Sequence, residues 1–282
     1  MIPFTVLDSG MRTPEAPLVL ADGSLLYSDT RGGGVRRWCP DGEIETVVPK
    51  RKGVGGLVAH VDDGFVMAGR DLTHFRLGES RLVLDPTVLP PRPDAMPNSF
   101  NDIAADETGV VYAGAVRLND AGQQTAGDLV RVRSTGECEI IEPEVAGPNG
   151  VAFSPDGAVV YHGETVRRTV LVVELGGDGG VRRKWRFSMG EVPGGPDGLA
   201  VDVTGGIWVA VYGGGCVVRF DPIGRMTERI EVPATGVTNI AFNPTKPGFA
   251  FVTTEEHAAG IGGCLLEAEL GVEGMPVAPA AI

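Results

Sequence analysis

The sequence predicts an all-β fold, a six-bladed β-propeller in which residues 1–282 form a single domain. Three observations predict it: a composition rich in turn-forming residues, a lack of helical periodicity, and an internal repeat. The 282 residues include 42 Gly and 21 Pro, and no long window keeps the 3.6-residue hydrophobic period of an amphipathic helix. The hydrophobic content of 43% is sufficient for a packed core.

The repeat is a turn that ends in Gly and leads directly into an apolar or aromatic strand. Its six marker glycines are Gly23, Gly64, Gly109, Gly157, Gly205 and Gly248. Their mean spacing of 45 residues matches a propeller blade of four short strands. The N-terminal run "IPFTVLDSG" precedes the first unit, and we expect it to close the ring as the last strand of the sixth blade. A long sandwich or a β-helix explains six such units less well.

Side-chain oxygens recur eight residues before the marker glycines in four of the six repeats. These four residues are Glu15, Asn101, Asn149 and Asp197. The second repeat has Gly56 there, and the longer turn of the sixth makes Thr238 or Asn239 the expected equivalent. In a propeller the first strand of each blade lines the central channel, so these positions should converge on its axis.

Oxygen ligands without His or Cys suit a hard cation, and the pattern predicts one divalent cation in the channel. Ca²⁺ is the favoured ion, with Zn²⁺, Mg²⁺ or Mn²⁺ as alternatives. Asn and Asp in turns flanked by Gly and Pro also commonly hydrogen-bond their own backbone. The recurrence at one repeat position favours the metal site over that simpler interpretation.

The charge balance and the cysteines narrow the possible partners and compartment. A formal net charge of −13 disfavours nucleic acid as a partner. The sequence shows no signal-peptide pattern and no apolar run of about 20 residues, so no membrane association is expected. The four cysteines are far apart, which favours free thiols in the cytoplasm. We expect a monomer or a weak homo-oligomer.

Four local sequences carry a resemblance to a known family: "TPEAP", "SFNDIA", "GPNGVA" and "GPDGLA". With the longer segment 196–225, they resemble the gluconolactonase/regucalcin family of the senescence-marker-protein type. The resemblance implies a six-bladed propeller with one divalent cation, and hydrolysis of the lactones of sugar acids. It implies that Glu15 and Asn149 bind the metal and that Asp197 is both a metal ligand and the general base. Asn101 would ligate the metal or contact the substrate.

The predicted substrate pocket departs from the family pattern. Ser99 replaces an Arg that contacts substrate hydroxyls in many members, and Asn119 falls near a Glu that some members use. With Met96 and Phe100 beside it, Ser99 predicts a less polar pocket. The loops 86–100, 115–128 and 254–263 are expected to set specificity. Two further candidate substrate contacts are Tyr212 and His257, although a structural role is favoured for the histidine.

Together with these observations, the resemblance implies a metal-dependent hydrolase that opens the ring of a sugar-acid lactone or of a less polar lactone. In this hypothesis the cation polarises the carbonyl while Asp197 assists the attack of water. One alternative is hydrolysis of an organophosphate or another ester at the same site. A second is a propeller that binds a ligand without catalysis and holds a structural cation. A strictosidine-synthase-like propeller is less favoured, because the oxygen-bearing residues would then have no purpose.

Overall fold

The protein is described by a computed structural model that covers residues 2–282. The described residues form six four-stranded antiparallel sheets and one short 3-10 turn at Pro86–Val88. The six repeated units correspond to the six sheets, which confirms the predicted six-bladed β-propeller. All six marker glycines have positive φ, as expected of residues that turn the chain from the first strand of a blade into the second.

The strands are numbered in chain order. Those of the first half are β1 (Phe4–Met11), β2 (Pro14–Val19), β3 (Leu25–Asp29), β4 (Gly34–Trp38), β5 (Ile44–Pro49), β6 (Gly56–Ala59), β7 (Phe65–Ala68), β8 (Leu72–Arg76), β9 (Glu79–Leu84), β10 (Met96–Ala105), β11 (Val111–Leu118) and β12 (Gln124–Val132). Those of the second half are β13 (Cys138–Val145), β14 (Pro148–Phe153), β15 (Val159–Glu164), β16 (Thr169–Leu175), β17 (Val181–Ser188), β18 (Gly195–Val201), β19 (Ile207–Tyr212), β20 (Cys216–Phe220), β21 (Met226–Glu231), β22 (Val237–Phe242), β23 (Phe249–Thr254) and β24 (Gly263–Glu269).

Five blades consist of four strands that are consecutive in the chain. In the remaining blade, β1 pairs antiparallel with β24, next to β23 and β22. The first strand of each blade contacts the first strands of its two neighbours, and β22 contacts β2. The first strands β2, β6, β10, β14, β18 and β22 therefore surround the central channel. We call the end at which they begin the upper end.

The burial of the strands follows the apolar content of their sequences. The second strands, such as "FVMA" in β7 and "IWVAVY" in β19, are almost completely buried, because a neighbouring blade covers each face. Outer strands such as β21, "MTERIE", are mostly exposed. A separate hydrophobic cluster fills each junction between neighbouring blades. The hydrophobic core is thus distributed around the ring between the blades and does not lie on the channel axis.

The lower end of the channel is crossed by the segment after β24. Its backbone bridges three different blades, through Gly274 to Asp202, Ala278 to Ala105 and Ala280 to His60. Between this segment and the upper end lies a cavity of about 690 Å³. Its walls are mainly apolar side chains of the first strands, and Asp102 and Asn239 also line it.

All four cysteines are unpaired, as predicted: Cys216 and Cys264 are buried, and Cys39 and Cys138 are half-buried. Within residues 2–282 no helix has the length and apolar character needed to cross a bilayer.

Candidate active site

The predicted oxygen-bearing residues all lie on first strands and near the upper end of the channel. Glu15 is on β2, Asn101 on β10, Asn149 on β14 and Asp197 on β18. In the sixth blade the equivalent residue is Asn239, whose side chain contacts Glu15. The Thr238 hydroxyl instead donates to the carbonyl of Pro14 on β2 of the neighbouring blade.

Irregular strand pairing turns these side chains toward the axis. The pairing of the first strand with the second shifts register between Glu15 and Leu18 and between Pro196 and Leu199. Similar shifts occur in β10, β14 and β22. β6, which carries Gly56, pairs with β7 without a shift. Such bulges re-aim side chains at the edges of sheets and near active sites.

Glycines directly after two of the site residues let neighbouring first strands approach closely. A Cβ on Gly198 would lie 2.0 Å from the side-chain Cγ of Asn239. A Cβ on Gly150 would lie 2.5 Å from the carbonyl oxygen of Asp197. In the "PNG" and "PDG" sequences, the glycine therefore allows the strand that carries the candidate site residue to pack closely against the first strand of the next blade.

Direct hydrogen bonds connect one side of the site. Asn101 Nδ2 donates to Asn149 Oδ1 at 3.1 Å and to the Pro148 carbonyl at 3.2 Å. Asn149 Nδ2 in turn donates to Thr165 Oγ1 at 3.2 Å. The Thr165 hydroxyl donates to the Pro196 carbonyl at 2.7 Å. This chain orients both amides and links them to the backbone next to Asp197.

Asn239 organises the opposite side of the site. Its Nδ2 lies 3.4 Å from Glu15 Oε2 and 3.3 Å from Asp102 Oδ1, and it can donate to both carboxylates. Asp102, which was not predicted from the sequence, is 6% exposed and joins the buried Asp197 and the half-buried Glu15 as a third carboxylate of the site. A single neutral amide thus serves two acidic groups.

Burial raises the pKa values of all three carboxylates. Burial, followed by the charges of Asp197 and Asp102, raises the pKa of Glu15 well above its usual range. Burial and the charge of Asp102 likewise raise the pKa of Asp197. Burial raises the pKa of Asp102 to about 7, against the opposing hydrogen bond from Asn239. Such perturbed groups are typical of functional sites.

The carboxylate of Asp197 has unused hydrogen-bonding capacity. The side chain is 5% exposed, and its Oδ1 atom is buried without a hydrogen-bond partner among residues 2–282. Buried carboxylate oxygens are normally satisfied, and exceptions commonly mark a functional group. No set of three His, Cys, Asp or Glu side chains in residues 2–282 is spaced like a metal site. The predicted ligand set contains two such residues and two amides, a composition that suits hard cations.

The predicted substrate residues occupy different environments. Ser99 and Met96 lie at the upper end of β10, where Met96 is exposed. Phe100 is 2% exposed and packs in the hydrophobic cluster between two blades, so its ring contributes no surface to a pocket. Asn119 accepts backbone hydrogen bonds from Ala121 and Gln123 and thereby stabilises its own hairpin turn.

Tyr212 and His257 lie in the upper loops of the last two blades. Tyr212 ends β19 and its hydroxyl donates to Glu255. His257 Nδ1 accepts a hydrogen bond from the backbone N–H of Ala259 at 3.1 Å, as expected of a structural histidine in a turn.

The fold and this cluster define a class: six-bladed propellers with carboxylates and amides converging at one end of the central channel. The family model for the SMP-30/Gluconolactonase/LRE-like region matches residues 13–256 of the sequence, and the chain belongs to that family.

Two relatives that are named as lactonases match most of this chain. It is 32% identical to pentonolactonase XacC of Haloferax volcanii, over 96% of this chain and 95% of that protein. It is 31% identical to the 6-deoxy-6-sulfogluconolactonase of Pseudomonas putida, over 89% of this chain and 88% of that protein.

Solved structures show the same fold at lower sequence identity. A luciferin-regenerating enzyme superimposes with a TM-score of 0.87 at 19% identity, covering 100% of both chains. Regucalcin of Agrobacterium tumefaciens, described as a calcium-binding protein, superimposes with a TM-score of 0.82 at 22% identity. That match covers 100% of this chain and 98% of regucalcin.

Proposed function

We propose that this protein is a lactonase that hydrolyses the ring ester of a sugar-acid lactone at the upper end of its channel. The observation that carries the proposal is the convergence of Glu15, Asn101, Asn149 and Asp197 in a chain that matches two lactonases over most of its length. The relatives' names supply the substrate class, and the cluster supplies groups suited to the reaction.

The site residues fit a divalent cation. Asp197 Oδ1 is an unpartnered buried acceptor, and no Lys, Arg or His within residues 2–282 forms an ion pair with Glu15, Asp102 or Asp197. Glu15, Asn149 and Asp197 would hold the ion, with Asn101 beside them, and oxygen donors of this kind favour Ca²⁺ or Mg²⁺. When bound, a divalent cation supplies Lewis-acid polarisation of the ester carbonyl.

The protein's own groups perform the proton transfers in this proposal. The Asp197 carboxylate accepts, through the oxygen left free of the cation, a proton from the water molecule whose oxygen attacks the ester carbonyl carbon. The bond from that carbon to the ring oxygen then breaks, and the proton on Asp197 passes to the departing ring oxygen. Water is thereby added across the ester bond, and the product is an open-chain hydroxy acid. Asn149, fixed by Thr165, restricts the orientation of the groups around Asp197.

The proposal also treats the pairing of β1 with β24 as the fastening of the ring. The proposal takes a monomer or a weak homo-oligomer as the active form.

The test is hydrolysis of a panel of sugar-acid lactones, unsubstituted lactones and phosphotriesters, followed as acid release. We expect turnover of the sugar-acid lactones and a loss of at least a hundredfold in kcat for Asp197→Asn, the range of a lost general base. Asp156→Asn is a matched control, because Asp156 lies in an exposed turn and accepts hydrogen bonds from Ser154 and Ala158. Turnover of phosphotriesters alone, or full activity of Asp197→Asn, would contradict the proposal.

A further inference from the structure

Three residues from different blades form a hydrogen-bonded bridge at the upper end of the channel. Glu255, which directly follows β23, accepts hydrogen bonds from the Arg31 guanidinium at Oε1 and from the Tyr212 hydroxyl at Oε2. Arg31 lies in the loop after β3, and Tyr212 is the last residue of β19. We call Arg31, Tyr212 and Glu255 the mouth bridge. Of the three, only Tyr212 was predicted from the sequence as a substrate contact.

The strand register places the blade-five and blade-six parts of the mouth bridge beside the catalytic cluster. Tyr212 pairs with Gly195, two residues before Asp197. The Glu255 backbone N–H donates to the carbonyl of Gly236 at 2.8 Å, three residues before Asn239. The negative charge of Glu255 also contributes to the raised pKa of Asp197, after burial and the charge of Asp102.

Arg31 occupies the corresponding place in the first blade. The preceding residue, Thr30, donates its backbone N–H to the carbonyl of Thr13 at 2.9 Å, two residues before Glu15. The mouth bridge therefore spans the side of the entrance formed by the three blades that carry Asp197, Asn239 and Glu15. Ser99 and Asn119 belong to the blade across the channel.

The mouth bridge presents both hydrogen-bond donors and acceptors to solvent. The Arg31 side chain is 62% exposed, and its hydrogen bond to Glu255 uses only Nη1, so its Nε and Nη2 atoms remain available as donors. Tyr212 is 38% exposed. Exposed ion pairs of this kind contribute little to stability. A planar guanidinium next to a carboxylate does, however, match neighbouring hydroxyl groups, which each donate and accept.

The charges around the entrance favour an uncharged ligand. Glu256 lies beside the mouth bridge, where its Oε1 atom accepts backbone hydrogen bonds from Thr235 and Gly236, both at 2.6 Å. With Glu255, it offsets the positive charge of Arg31, and the buried carboxylates of the site lie below. These carboxylates would repel an anionic ligand, whereas they would not repel a ligand with uncharged hydroxyl groups.

We propose that the mouth bridge binds the hydroxyl groups of a neutral polyhydroxylated lactone, and that Arg31 determines specificity for them. This inference rests on the proposed lactonase function and assigns the recognition of hydroxyls to blades one, five and six. It replaces the less polar pocket expected from Ser99, Met96 and Phe100.

The test compares Arg31→Ala with the wild-type protein on two lactones, a hydroxylated pentonolactone and unsubstituted γ-butyrolactone. We expect kcat/KM for the pentonolactone to fall about 10- to 100-fold, the range of a lost hydrogen bond to a charged group, mainly through KM. The value for γ-butyrolactone should change less than about twofold, because that substrate has no hydroxyl to lose. Inhibition by a neutral pentose, which has hydroxyls but no ester, should weaken by a similar factor.

Arg37→Ala is a matched control, because Arg37 is in the same blade and pairs with Asp22 in the turn at the lower end. It should leave both lactones unaffected, and Glu255→Gln should lower kcat/KM for the pentonolactone alone.

An equal loss on both lactones, or no loss on either, in folded Arg31→Ala would overturn this inference and leave the lactonase proposal standing. Wild-type protein that opens neither lactone in the presence of Ca²⁺, Zn²⁺, Mg²⁺ or Mn²⁺ would overturn both this inference and the lactonase proposal.

Discussion

Replacement of Asp197 by Asn should stabilise the chelator-treated protein and destabilise the calcium-treated protein relative to wild type. Asp197 is buried beside two further carboxylates, and burial and the charge of Asp102 raise its pKa. An acid whose pKa is raised by folding opposes folding when it is ionised, and this penalty grows as the pH rises through the folded pKa. The neutral amide has the same shape and removes one charge from the cluster.

The size of the effect follows from the cluster and from mass action. Burial raises the pKa of the neighbouring Asp102 from 3.8 to about 7, which at 1.36 kcal/mol per pKa unit corresponds to about 4 kcal/mol for one carboxylate. The buried amide would still leave some of its polar atoms without hydrogen bonds, which reduces the gain. We therefore expect Asp197→Asn to raise the free energy of unfolding by on the order of 1–3 kcal/mol without metal. Calcium at a hundred times its Kd would stabilise wild type by about 3 kcal/mol, or roughly 6–10 °C in Tm, and the variant much less.

The assay is thermal unfolding of both proteins at neutral pH, once with EDTA and once with excess calcium. The order of the two Tm values should reverse between the conditions. Asp202→Asn is a matched control from the same blade, because Asp202 is also buried but accepts hydrogen bonds from Arg219 and Trp208. It should lower Tm in both conditions. If Asp197→Asn is less stable than wild type with EDTA, the Asp197 charge does not oppose folding; if it keeps the full calcium shift, Asp197 does not bind the ion.

Two further predictions concern the structural support of the site. Gly198→Ala should lower the free energy of unfolding, measured in urea, by about 1–3 kcal/mol and should lower lactone turnover, because the new Cβ would lie 2.0 Å from Asn239 Cγ. A variant as stable as wild type would show that the two strands are less closely packed. Although burial raises it, hydrogen bonds from Arg219, Thr204 and Trp208 hold the pKa of Asp202 well below 3.8. Asp202→Asn should therefore cost about 1–3 kcal/mol at neutral pH, and the loss should shrink in urea titrations below about pH 4; a pH-independent loss would contradict this account.

The sequence was most informative where one pattern recurred in every blade. The spacing of the marker glycines predicted the number of blades, because each unit needs the same turn between its first two strands. Counting back from those glycines located the first-strand residues, including Glu15 and Asp197. In the sixth blade the longer turn left Thr238 and Asn239 undecided, and only the hydrogen bonds of Asn239 identify it as the residue facing the site.

Asp102 was missed because regular strands turn adjacent side chains to opposite faces. The pairing of β10 with β11 shifts register between Phe100 and Ile103, at Asn101 and Asp102. Both residues consequently reach the site, while Phe100 packs into the core between blades. Sequence alternation alone gives no signal for the position of such a bulge.

The mouth bridge could not be predicted from the sequence for a different reason. Arg31 and Glu255 are separated by 224 residues and meet only when the first and last blades become neighbours in the ring. Each lies in a polar loop after a buried strand, a common setting for residues without a special role. The loop 254–263 was predicted to influence specificity, but its partner in the first blade could not be inferred from local patterns.

We propose that the converging oxygens bind one divalent cation and that lactone hydrolysis requires this cation. The most direct test of this proposal is titration of Ca²⁺ into chelator-treated wild-type protein while the initial rate of lactone opening is measured. Activity should be absent after chelation and should return in proportion to added metal, with a plateau near one ion per chain. Full activity of protein shown to be free of metal would contradict the proposal.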